Sequence, residues 1–90
     1  MEIKLGDRVT FRKEFQRCVG LSDNVRFIDF DNKKQLEGII CGARTIAYRG
    51  YTKYWGDWNE FIPLEYRKIY LVATDLRGFH KVPSYFIEGV

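Results

Sequence analysis

Hydrophobic and polar positions alternate with a period of two along much of this chain, the pattern of strands that turn one face to a core and the other to water. In GDRVTF, Val9 and Phe11 fall on one side and Arg8, Thr10 and Arg12 on the other, which predicts a first half-buried strand. Residues 13–34 then read as a long folded loop. Gly20 and Ser22-Asp23-Asn24 are turn formers, VRFIDF is β-prone, and Asp31-Asn32-Lys33-Lys34 suits a tight turn, so the second half of the loop is expected to pair into the sheet.

From Leu36 to Tyr48, LEGIICGARTIAY is the longest strand candidate, about 40 Å if extended at roughly 3.3 Å per residue. A domain of this size cannot keep such a strand straight, and Gly38 and Gly42 mark where it would bend or bulge. Leu36, Ile40, Ile46 and Tyr48 share one parity and Ile39, Cys41, Ala43 and Ala47 the other, so a change of buried face is expected near Gly42. RKIYLVATD sets Ile69, Leu71 and Ala73 against Lys68, Tyr70 and Val72, a further strand. Residues 74–78 turn the chain, Phe79 to Val82 form a short strand, and Pro83 stops it for want of a ladder N–H. Ser84-Tyr85-Phe86 would make one helical turn before Ile87 opens the last strand. No helical period of useful length occurs, and the fold class predicted is all-β with five strands.

Between the long strand and RKIYLVATD lies YRGYTKYWGDWNEFIPLEY, residues 48–66, which predicts a wide aromatic loop. Aromatic side chains offer large, stiff contact area with a polar handle and are enriched where binding energy concentrates. Tyr48, Phe61 and Tyr66 read either as core or barrel-end plugs or as part of that surface. Trp55 and Trp58 are expected in water, because Gly56-Asp57 between them and Lys53 and Asn59 beside them mark a solvated turn. The expected partner-binding set is Tyr51, Tyr54, Trp55, Trp58 and Phe61 as anchors, with Arg44, Arg49 and Lys53 steering approach. With Arg67 and Lys68 these cations would form a basic rim.

Composition narrows the functional classes. Ninety residues imply one domain, 1–90, and 46% hydrophobic with 17% aromatic content gives enough burial for the chain to fold unaided. No apolar run approaches the ~20 residues of a membrane span and MEIKLGDRV has no apolar signal core, so a cytoplasmic protein is expected. Cys18 and Cys41 are too few and too far apart for a disulfide framework and stand in no Cys/His cluster; both are expected reduced, with Cys41 a small buried hydrophobe.

The net charge of +3 is intermixed along the chain, which permits nucleic acid without arguing for it. Asp29/Asp31, Asp57/Glu60 and Glu65 have basic neighbours and read as solubilising partners, while the lone His80 has no nucleophile near it in sequence. No catalytic residue, metal or cofactor is therefore expected. Acidic Asp57, Glu60 and Glu65 in the aromatic segment would repel phosphates, so the expected partner is a protein surface. A single-stranded nucleic acid or nucleotide, stacked on aromatics inside a cationic rim, is the alternative; a homodimer seam is a third reading.

Two stretches carry a family resemblance. FHKVPSYFIE resembles the close of SH3 domains, where a Pro-Ser-X-Tyr-like turn precedes the final hydrophobic strand; here it runs Pro83, Ser84, Tyr85, Phe86, Ile87. GDRVTF resembles the openings of bacterial and ribosomal SH3-like or KOW-type barrels, and no ALYDY-like motif of Pro-rich peptide binders is present. The resemblance implies a five-stranded SH3-like barrel with a long aromatic loop and one short 3-10 turn near its end. GDRV near the start and this share of aromatics also resemble small accessory proteins of bacteriophages and prophages. That implies a non-enzymatic module acting by stoichiometric protein–protein interaction, such as an inhibitor of a host defence protein of the anti-CRISPR kind.

Overall fold

A computed structural model describes residues 2–17, 26–75 and 78–89. Among the described residues five strands follow one another: β1 Arg8–Arg17, β2 Phe27–Tyr54, β3 Asn59–Ala73, β4 Phe79–Val82 and β5 Ile87–Gly89, with a 3-10 turn at Ser84–Phe86. The chain is all-β, with one five-stranded antiparallel sheet in the order β2-β3-β4-β1-β5 and a further pairing of β1 with β2. The short last strands and the turn between them lie where the sequence places them. The expected turns at Gly20 and Ser22-Asp23-Asn24, together with Cys18, Leu76 and Arg77, lie outside the described residues.

The largest departure from the sequence reading is in the middle of the chain. β2 does not end at Tyr48, nor is 48–66 a wide loop: β2 and β3 pair continuously out to Tyr54↔Asn59, leaving residues 55–58 as the connection. β-propensity explains the outcome, since aromatics and Thr are good strand residues and opposite charges meet across the ladder at Lys53↔Glu60. The molecule measures 48 × 25 × 20 Å, and its radius of gyration of 14.9 Å exceeds the about 12 Å of a compact chain this long. None of residues 51–62 is buried, so the outer part of the hairpin is an arm rather than part of the core.

The tight turn expected at residues 31–34 lies inside β2, as a bulge. Phe11 pairs with Leu36 and Lys13 with Asp31, so residues 32–35 of β2 bulge out opposite Arg12 alone. Lys33 adopts φ 62°, and its N–H donates to Asp31 Oδ1 at 2.7 Å, the local turn chemistry of Asp and Asn used inside a strand.

The core has two parts. Val9, Phe11, Ile40, Val72, Val82 and Ile87 form one cluster and Phe15, Ile46 and Ile69 the other, with Phe86 of the 3-10 turn packed against both. β2 presents even-numbered residues to both clusters, so its buried face does not change at Gly42. The bulge expected there does exist: Ile40 pairs with Val72 and Gly42 with Leu71, so Cys41 is the extra residue. The change of face falls on β3 instead, which gives Val72 to the first cluster and Ile69, of opposite parity, to the second. Cys41 is exposed, not buried as expected, because the bulge and its odd parity turn it outward; its Sγ–H donates to Ile39 O at 3.5 Å.

Candidate functional site

The tip of the β2–β3 hairpin is built by its turn. Gly56 has φ +83° at the first central position while Asp57 stays in the ordinary region, the type II′ pattern that matches the twist of a two-residue hairpin. The N–H of Trp55 donates to Trp58 O at 2.9 Å, so the two tryptophans face each other across the last rung. Their rings stack with centroids 5.7 Å apart and planes 17° from parallel, and the Lys53 ammonium lies 4.2 Å from the Trp55 ring centroid. Stacking fixes the rings without hiding them: Trp55 is 47% exposed, Trp58 57% and the adjoining Tyr54 64%.

The other expected anchors do not join this tip. Thr52 pairs with Phe61 and Tyr51 with Ile62, so Phe61 and Tyr51 lie on opposite faces of the hairpin. Tyr51 is exposed, as are Tyr66 and Leu64, which removes Tyr66 from the plug reading. Phe61 is half-buried, with the Arg26 guanidinium 3.8 Å above its ring centroid. Tyr48 is half-buried against Phe15 in the second core cluster.

The expected basic rim also divides. Arg44 lies near the root of the hairpin on the face of Phe61, whereas Arg49 is on the Tyr51 side, 3.8 Å from Glu65. Glu65 also accepts from Arg67 Nε at 2.6 Å, and Arg67 stacks on Tyr48 at 4.0 Å while donating to the Tyr85 hydroxyl at 2.7 Å. The hydrogen bond to Glu65 is the main reason the Arg67 pKa rises above its ordinary value. Burial first, and then the charge of Asp29, push the Tyr48 phenol upward. This cluster ties the root of the arm to the 3-10 turn, and it accounts for Arg49, Arg67 and Glu65 as partners of one another.

Strand pairing assembles a second place that local spacing does not reveal. Arg17 at the end of β1, Arg26 just before β2, Arg44 within β2, and Phe27, Ile46 and Phe61 surround a cleft of about 290 Å³, completed by Thr45 and Ala47. Positions 17, 26, 44 and 61 meet only because β1 pairs with the start of β2 and the later part of β2 pairs with β3.

A third arrangement surrounds His80. Its Nδ1 lies 2.7 Å from Glu14 Oε2 and its Nε2 3.1 Å from Thr74 Oγ1, both at hydrogen-bond distance, and its ring rests against Phe11 at 5.4 Å between centroids. A carboxylate, an imidazole and a hydroxyl bonded in that order is the arrangement that activates a nucleophile in hydrolases. Here Glu14 is only 6% exposed, and the same oxygen accepts from Asn32 Nδ2 at 2.9 Å. Such bonds are what a buried carboxylate requires, and they clamp β1, β2, β4 and the residue after β3 together.

Among the described residues, no group of three or more His, Cys, Asp and Glu is placed to hold a metal ion, and no helix is long and apolar enough to cross a membrane. No known protein family, curated protein or solved structure matches the chain. The functional reading therefore rests on its own residues.

Proposed function

We propose that this chain is a non-enzymatic binding module, an SH3-like barrel whose β2–β3 hairpin docks on another protein and acts by stoichiometric occlusion, as a phage-encoded inhibitor of a host defence protein would. Support for the barrel comes from the circuit of pairings: β1 with β2, β2 with β3, β3 with β4, and β4 back to β1 at Phe15↔Lys81. Support for docking rests on one observation above all, the stacked Trp55–Trp58 pair held in water at the end of a projecting arm. Large aromatic rings fixed before contact lose little freedom on binding, which is why such residues dominate interface energetics. The arm tip carries Lys53 against Asp57 and Glu60, one positive and two negative charges, which suits a protein surface and repels phosphate.

The test is capture of partners by tagged protein from bacterial lysate, with and without nuclease, beside the Trp55→Ala/Trp58→Ala variant. A nuclease-resistant protein should be held by the parent chain and lost by the variant. Each anchor truncation should cost about 2 kcal/mol or more, roughly thirtyfold in affinity. Undiminished capture by a folded double variant would overturn the assignment of the anchors.

A further inference from the structure

We propose that the cleft at the root of the hairpin binds one nucleotide unit, free or within a single strand, independently of docking through the arm. Among the described residues its lining contains the guanidinium groups of Arg17, Arg26 and Arg44 and no acidic side chain. Among the described residues none of the three arginines has a carboxylate within 4 Å, although Arg8, Arg12, Arg49 and Arg67 all do. Guanidiniums that line one cleft repel one another, and an anion between them relieves that repulsion.

Arg26 is held in advance. Its backbone N–H donates to Tyr48 O at 3.2 Å and its guanidinium carbon lies over the Phe61 ring, 3.8 Å from the centroid. A cation held over a ring face keeps N–H donors for other partners, and the guanidinium fork fits phosphate oxygens. Arg17 and Arg44 are exposed and flank it. Phe27, Ile46 and Phe61 supply an apolar wall beside the charges, which bare phosphate does not need and a base does. A volume of about 290 Å³ stands at the small end of ligand sites and suits one such unit rather than a long segment.

The test is fluorescence anisotropy of a dye-labelled oligothymidylate at low salt, with AMP, inorganic phosphate and a phosphoserine peptide as competitors. Three variants are compared with the parent: Arg17→Gln/Arg44→Gln, which touches only exposed side chains; Arg26→Gln; and Lys34→Gln as a basic control outside the cleft. Saturable binding is expected, competed by AMP, weakened at least tenfold by either cleft variant, and little changed by the control. Each lost contact should flatten the slope of log K against log salt by about 0.7. Comparable occupancy by AMP alone identifies a free nucleotide as the ligand, and much tighter binding of the oligomer identifies a single strand; either supports the proposal. The tip tryptophans lie outside the cleft lining, so Trp55→Ala/Trp58→Ala should bind as the parent does. The proposal is overturned by absence of saturable binding, by equal loss in Lys34→Gln, or by inorganic phosphate or phosphopeptide competing as well as AMP. Quenching of tryptophan emission by a ligand indifferent to the arginine variants would place the base at the arm tip and overturn it too.

Discussion

A methyl group added at position 50 would press against the carbonyl oxygen of Ile62, 2.8 Å from Phe61 Cζ and 2.9 Å from Pro63 Cα. Two of these neighbours are backbone atoms of the paired strand and cannot turn aside as a flexible side chain would. Gly50 is buried at the root of the arm, where the ladder shifts register between Arg49 and Gly50 so that Gly50 meets Pro63. Gly50→Ala should therefore force the two strands apart and destabilise the chain by about 1–3 kcal/mol, the usual range for overpacking. Gly42→Ala is the control, because its methyl would meet only Leu71 Cδ1 at 3.7 Å, an ordinary contact. Urea unfolding of both variants checks the pair; a Gly50→Ala midpoint equal to that of Gly42→Ala would mean that the strands separate at this point without strain.

At the scale of the element, β2 decides the fold, and its legibility was uneven. The alternation through Leu36 to Tyr48 disclosed a strand, and the glycine at 42 disclosed its bulge, because both signals are local. Which strand would change its buried face depends on how the partner's register steps past the extra residue Cys41, and pairing is not written in one strand alone. Asp31-Asn32-Lys33-Lys34 has the turn chemistry its residues predict, but the strand context is not local: the same Asx turn serves a bulge when both flanks find β1. Asn32 makes that bulge specific: its side-chain amide donates to Arg12 O at 3.0 Å and to the buried Glu14 carboxylate at 2.9 Å. Asn32→Ala would leave a backbone carbonyl and a buried acid each short of a donor, at a cost of about 1–3 kcal/mol. Denaturant unfolding should show that loss, with faster amide exchange along residues 12–15; a change within ±0.5 kcal/mol would make the bulge independent of its clamp.

The whole molecule separates two chemistries that the sequence merged into one basic and aromatic surface. Arg44 and Phe61 belong to a cleft at the root of the hairpin, while Trp55 and Trp58 with Lys53 stand at its tip; Arg49 and Tyr51 face the other way. Residues 17, 26, 44 and 61 could not be grouped from spacing, because three strands had to be laid side by side first. The arm allows the two places to be tested apart. Thr52 and Phe61 are directly opposed, so residues 53–60 can be replaced by an Asn-Gly turn, which closes a two-residue hairpin between opposed strands. No residue of either core cluster and no cleft residue is removed. The shortened chain should unfold within about 1 kcal/mol of the parent, as expected when only exposed residues are lost. It should keep its affinity for oligothymidylate and capture no protein partner. Failure of the shortened chain to fold would show that the arm belongs to the cooperative unit, and retained capture by a folded one would move the docking surface off the tip and onto the body of the sheet.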